Sequence, residues 1–390
     1  MTDRKYWIWL SSHTNVSHNS KAAVIEFFDN PENAFFSPRG SFREIEGVSS
    51  HDAEILEERD ISRAEEIISQ CEKLGQQIIT IEDSEYPSLL KEVYAPPYVL
   101  YVMGTLPDFN REIGIAVIGT RNASPYGIKM GRQMGYELAA CGGIIITGLT
   151  GGIECGSADA ALKAGGKVVA VLGTSIEKAP DRAVNISSSG AVISEYAPGT
   201  PFRRQFYRHR NRISAGLSRA VCVIEAPEKS GTRLFVAEAL EQGKEIFAVP
   251  GNADSENSSG TLKFLREGAH PVAHGWEIAE ELNSMYHGTL DGSVRDTLND
   301  IYLEEETPEI IPEQKKIIDK ENSACYIDKT QLTETQYKIV ESLLNGCCAV
   351  DEIIISTGIP ASTVLAELTM LQISGKVRKE AGGNFKICGK

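Results

Sequence analysis

With 390 residues, 42% of them hydrophobic, the chain is too long for one ordinary core and is expected to form two or three domains. No apolar run reaches the roughly 18 residues of a membrane span, the N-terminus lacks the features of a signal peptide, and the eight cysteines show no Cys-x-x-Cys spacing, which excludes a disulfide frame or zinc site and leaves a soluble, cytoplasmic protein as the expectation. The formal net charge of −15 argues against nucleic acid, but only as a sum.

Residues 1–80 read as short helices, with apolar residues at helical spacing in Ala22 to Phe28 and Ala64 to Leu74. Gln77 to Ile81 looks like a strand, and Tyr86 to Gly104 like a proline-interrupted connector. From Glu112 the pattern alternates. Ile113–Gly119, Gly143–Gly148, Lys167–Gly173, Ala191–Glu195, Arg219–Ala226 and Glu245–Val249 read as strands. Ser124–Cys141, Glu154–Ala164 and Thr232–Gln242 read as helices. Near-continuous Val/Ile runs separated by helices predict a parallel, doubly wound α/β sheet over 81–280. Residues 281–330, acidic and holding Pro308 and Pro312, read as a linker. From 331 to 390, three helices and a strand pair with a Gly382-Gly383 tip predict a winged-helix domain.

Charge is unevenly spread. Residues 1–110 hold 9 basic and 19 acidic residues, 281–329 hold 5 and 12, and 111–280 hold 19 and 17. Arg203, Arg204, Arg208, Arg210, Arg212 and Arg219 crowd one segment with no acid between them, the one concentrated basic feature. Arg208-His209-Arg210-Asn211-Arg212 suits phosphate and base-edge contacts, unless Arg210 or Arg212 pairs with an internal acid such as Glu195 or Glu225. In open parallel sheets ligands sit beyond the carboxyl ends of the strands, so the loops there matter. Gly119-Thr120-Arg121 leads to Ser124, a helix cap, and offers a backbone anion site beside a fixed charge. Gly148-Leu149-Thr150-Gly151-Gly152-Ile153-Glu154 permits close backbone approach but is followed by no Walker lysine. Ser230-Gly231-Thr232 and Pro250-Gly251-Asn252 are further candidate phosphate loops. No metal-ligand spacing or catalytic constellation stands out, and neither metal nor cofactor is expected. Glu154 and Glu225 would form an acid–base pair if the fold brought them together, and are otherwise salt-bridged or edge-exposed carboxylates.

Five ordered blocks, "AVIGTRNASPYG", "SEYAPGTPFRRQ", "RNRISAGLSRAVCVIEAPEKSGT", "ALEQGKEIFAVPGN" and "LREGAHPV", resemble the core of the DprA/Smf (DNA-processing protein A) family over about residues 75–275. The resemblance implies an extended Rossmann-like fold flanked by an N-terminal helical domain (SAM or helix-hairpin-helix-like) and a winged helix. It also implies a homodimer without enzymatic activity that binds single-stranded DNA and loads the RecA recombinase on it in natural transformation, with no membrane partner. Carried over by position, the DNA-binding residues are Gly119, Thr120, Arg121, Arg210, Asn211, Arg212, Ser230 and Gly231, with Lys167 as a further phosphate contact. Where the family carries an arginine this chain has Gly151, and where it carries Ala-His it has Ser157-Ala158, which shifts the expected load to Arg204, Arg208 or His209. Bases would stack on Tyr207 or Tyr126. The presumed recognition helix, Pro360 to Gln372, has no Lys or Arg, so a protein contact suits it as well as duplex DNA does; Lys376, Arg378 and Lys379 of the wing could touch backbone. The sheet and its glycine loops are also similar to the lysine-decarboxylase-like phosphoribohydrolases, which makes a nucleotide-processing enzyme the alternative. A pure protein scaffold would leave the arginine segment without a role.

Overall fold

The computed structural model describes residues 2–286, 290–295, 333–344, 350–374, 377–379 and 385–387. The chain divides into two compact units, Met1–Glu304 and Glu305–Lys390.

In the first unit the β-branched runs line up as one sheet. Its strands are β1 (Gln77–Thr80), β2 (Val99–Gly104), β3 (Gly114–Ile118), β4 (Ile144–Thr147), β5 (Val168–Leu172), β6 (Ala191–Ser194), β7 (Ala220–Val223), β8 (Glu245–Ala248) and β9 (His270–Pro271). Their order is β1-β2-β6-β5-β4-β3-β7-β8-β9. Every neighbouring pair from β6 to β9 is parallel. At the other edge β2 runs antiparallel to β6, and β1 to β2. The doubly wound sheet is therefore as expected, with an antiparallel pair added. β2 falls where a connector was expected: Pro96 and Pro97 end just before it, and Val99, Leu100, Tyr101 and Val102 are all buried.

Among the described residues, thirteen α-helices surround this sheet. Five come first: α1 (Arg4–Ser12), α2 (His18–Phe28), α3 (Pro31–Phe36), α4 (Ser50–Leu56) and α5 (Ser62–Lys73), followed by α6 (Ser88–Lys91). Between strands lie α7 (Pro125–Ala140), α8 (Gly152–Lys163), α9 (Ala183–Ser189), α10 (Phe206–Leu217) and α11 (Thr232–Glu241), with α12 (Ser259–Arg266) and α13 (Gly275–Tyr286) closing the unit. Alternate strand residues face opposite sides. Ile115, Val117, Ile145 and Val168 face one core, which is continuous with Trp7, Trp9 and Leu56 of the leading helices. Those helices thus share a compact unit with the sheet. Ala116, Ile118, Ile146 and Val171 face the other core, against Ile213, Leu217 and Phe235 of α10 and α11. Helices α7 and α8 approach closely because Gly135 lies on the backbone of Ser157 and Gly131 on Ile153.

The second unit contains α14 (Glu334–Leu344), α15 (Val350–Thr357), α16 (Ala361–Ile373) and the antiparallel pair β10 (Val377–Lys379) and β11 (Phe385–Ile387). Ile339, Ile353, Val364, Leu368 and Phe385 form its core. Three helices and an antiparallel strand pair make the expected winged helix. Its α16 has no Lys or Arg and exposes Leu365 and Met370. The expected acidic linker lies largely outside the described residues, as does Lys376. Among the described residues no helix is long and apolar enough to cross a membrane.

Candidate nucleic-acid interface

The parallel strands place the loops after β3, β4, β5, β7 and β8 along one carboxyl edge. At the first loop Ser124 caps α7, its Oγ accepting from Gly127 N–H at 3.1 Å. The anion position at this helix end is already taken. Glu225, beyond β7, accepts from Ser124 N–H at 2.9 Å, from Ser124 Oγ at 2.5 Å and from Asn257 Nδ2 at 3.2 Å. Its own carbonyl accepts from Thr120 N–H at 2.8 Å. Gly127 is what admits the carboxylate, since a side chain there would collide with it. Gly119 likewise makes room for Ile153 and the Glu225 carbonyl. Arg121 points from this loop into solvent.

The second loop is filled in the same way. Glu154 Oε2 accepts from Gly148 N–H at 3.1 Å and Thr150 N–H at 3.2 Å. The loop needs left-handed backbone at Leu149 (φ 53°), Gly151 (φ 106°) and Gly152 (φ 53°). Gly152 backs onto the carbonyls of Thr120 and Arg121, so the two loops are packed backbone to backbone, while Gly151 faces open space. Both Glu154 and Glu225 are buried, and each is committed to its own loop. An acid–base pair does not fit that arrangement. Ala158, at the position of the expected family histidine, is wholly buried.

Most of the arginine segment lies on the helix α10. Arg212 is no surface contact: it pairs with Glu195 at 3.0 and 2.6 Å, and both side chains are at most 10% exposed. Its guanidinium also donates to the carbonyls of Ala95 (2.8 Å) and His209 (2.7 Å). Burial alone would raise the Glu195 carboxyl; the Arg212 charge and hydrogen bonds outweigh it and pull it down to about 2. Arg210 is also buried. It donates to the Val171 carbonyl at 3.2 Å and lies against Gly148, where any side chain would overlap its guanidinium. Among the described residues its Nε has no partner, and burial lowers its affinity for a proton. His209 turns inward, its ring edge-on to His18 with centroids 5.5 Å apart. Asn211 is half-buried.

What α10 presents to solvent is different. Arg204, two residues before the helix, and Arg208, in its first turn, are exposed. Tyr207 is 44% exposed and packs edge-on against Phe202, itself 50% exposed, with ring centroids 5.5 Å apart. The Tyr207 ring rests on Gly173 at the end of β5. Tyr126 is exposed too, and donates its hydroxyl to the Pro250 carbonyl at 2.8 Å. Phe202 was not singled out in the sequence, although its place directly before Arg203-Arg204 was the available signal.

Lys167 stands apart from these residues. It precedes β5, at the amino ends of the strands, and is paired with Glu112. Ser230 and Gly231 do lie at the carboxyl edge, where Gly231 opens α11 with free space beside it. Among the described residues no cluster of His, Cys, Asp and Glu could hold a metal ion.

Residues 77–283 match the model for DNA recombination-mediator protein A, and residues 328–383 match that of the DprA winged helix domain. Protein Smf of Synechocystis sp. is 28% identical over 414 residues, which cover 99% of each chain. The DNA processing protein DprA of Streptococcus pneumoniae is 36% identical over 209 residues, covering 52% of this chain and 73% of that one. The X-ray structure of the S. pneumoniae DprA is similar at a TM-score of 0.63 and 29% identity, covering 72% of this chain and 99% of that chain. With more than half of its length inside the first match, the chain belongs to the DNA recombination-mediator protein A family.

Proposed function

We propose that this cytoplasmic protein binds single-stranded DNA along the carboxyl edge of its sheet, catalyses no reaction, and loads the RecA recombinase on that DNA in natural transformation. The observation that carries this reading is the exposed pair Phe202 and Tyr207 beside the exposed Arg204 and Arg208. Aromatic faces stack on bases of any identity, and guanidinium groups hold phosphates. Arg121 extends the basic track from the end of β5 to the end of β3, two strand spacings or about 10 Å away. Thr120, Ser230 and Gly231, in loops of the same edge, serve as polar contacts, with Asn211, half-buried on α10, as a further one. Arg210 contributes a buried positive charge beneath Gly148, and Gly119 and Arg212 serve by shaping the site. A homodimer would double the track and raise the avidity.

A nucleotide-processing enzyme of the phosphoribohydrolase type would need its phosphate in the glycine loops, where Glu154 and Glu225 lie. That favours the strand-binding reading.

The test is fluorescence anisotropy of labelled oligo-dT, with duplex as control, at two salt concentrations. Wild type is compared with Arg204→Glu/Arg208→Glu. Binding should weaken with salt, and the variant's salt slope should fall by about 0.7 for each phosphate that the protein no longer neutralises. A folded wild type that does not bind oligo-dT overturns the proposal. Faster RecA assembly on the strand and sedimentation as a dimer are the expected results for its two partners.

A further inference from the structure

Two backbone anion positions at the carboxyl edge, in the loops after β3 and β4, are filled by the protein's own carboxylates. Glu154 takes two N–H groups of the second glycine loop, and Glu225 takes the N–H and hydroxyl of Ser124 at the head of α7. Their exposures are 8% and 2%, so solvent screens them little. In a nucleotide-binding sheet these are the places where a terminal phosphate would dock. We infer that Glu154 and Glu225 set the specificity of the loops after β3 and β4: they exclude phosphate monoesters there and leave this part of the edge to the internal diesters of a strand.

The inference rests on the single-strand reading above and deepens it. A monoester carries about −1.5 to −2 charges near neutral pH. To enter either loop it would have to displace a hydrogen-bonded carboxylate or lie against one in a poorly screened site. A diester carries one charge and needs no deep position. Arg121, Arg204 and Arg208, all exposed, can hold it from the surface. If the two glutamates were only structural caps, removing them would weaken the fold and create no new affinity. That difference is measurable.

The experiment compares wild type, Glu154→Ala and Glu225→Ala in thermal unfolding, with inorganic phosphate against chloride at matched ionic strength. dTMP is then used to compete for labelled oligo-dT. Wild type should respond to phosphate no more than to chloride, and millimolar dTMP should leave its DNA bound. Each alanine variant should unfold at a lower temperature and regain about half of the loss or more in phosphate, by mass action on the vacated site. dTMP should compete on the variants at roughly tenfold lower concentration than on wild type. Glu154→Gln keeps the shape and one acceptor but removes the charge; it should fold and show the same loss of discrimination if the alanine variants do not fold. Variants that phosphate rescues no better than chloride overturn the inference, as does dTMP displacing DNA from wild type below millimolar concentration. Failure of wild type to bind oligo-dT would instead remove the strand-binding reading, and the phosphate rescue would still test the carboxylates directly.

Discussion

Arg212→Met separates a structural arginine from a DNA contact. The Arg212 guanidinium spans Glu195, the Ala95 carbonyl and the His209 carbonyl. Ala95 holds a left-handed backbone (φ 57°), so the Arg212 bond also steadies a strained residue. Breaking a buried ion pair by removing one partner costs about 3–5 kcal/mol, because the remaining charge stays buried. The Lys21 charge is coupled to Glu195 and would partly offset the orphaned carboxylate, which favours the lower end, about 3 kcal/mol. That is a large part of the 5–15 kcal/mol typical of a domain. With a urea slope of about 3 kcal/mol/M, the midpoint should fall by about 1 M. The three tryptophans, Trp7, Trp9 and Trp276, all belong to the first unit, so their fluorescence follows its unfolding. Arg212→Met/Glu195→Leu should recover most of the loss, since no charge is left buried. A midpoint within about 0.3 M of wild type, together with abolished oligo-dT affinity, would refute the anchoring role and return Arg212 to the DNA surface.

Tyr207→Ala should weaken oligo-dT binding by about 1–3 kcal/mol for each base that stacks there, and leave the salt slope unchanged because no charge is removed; anisotropy at several salt concentrations checks both. Burial pushes His13 and His18 down to about 4 from an ordinary 6.5. The unfolded chain therefore takes up these protons first, so the stability they support is complete above pH 6.5 and lost as pH falls from 6.5 towards 4, by about 1–3 kcal/mol per histidine. Glu195, depressed to about 2, adds its own loss from about pH 4.5 downwards. Urea midpoints at pH 7 and pH 5 should show the histidine slope, and His13→Gln/His18→Gln should flatten it. Gly135→Ala drives a methyl group into the Ser157 backbone and should destabilise by about 1–3 kcal/mol. In contrast, Gly156→Ala meets only Arg132 Cγ at 3.6 Å and should stabilise by up to about 1 kcal/mol; thermal unfolding ranks the pair.

The parallel sheet was legible because its strands are buried on both faces. Runs such as Gly114–Ile118 and Val168–Leu172 are apolar at every position but the glycine, and no tertiary information is needed to see them. The winged helix announced itself by helical spacing and a glycine tip in the same local way. Helix α10 did not, since two of its buried positions, Arg210 and Arg212, are charged. Phe206, Arg210, Ile213 and Leu217 are spaced as one buried helical face, but an arginine among them reads as a break. Whether an arginine faces solvent or the interior depends on a distant partner: Glu195 at the end of β6 draws Arg212 in, and the missing side chain of Gly148 admits Arg210. The glycine loops show the same division. Their glycines and the Ser124 cap mark backbone shapes with free N–H groups, and a local pattern is enough for that. Which anion fills them is a matter of charge meeting charge in space, and Glu225 reaches Ser124 from 101 positions away. Backbone conformation is written in near neighbours; the pairing of buried charges is settled only when the fold brings remote residues together.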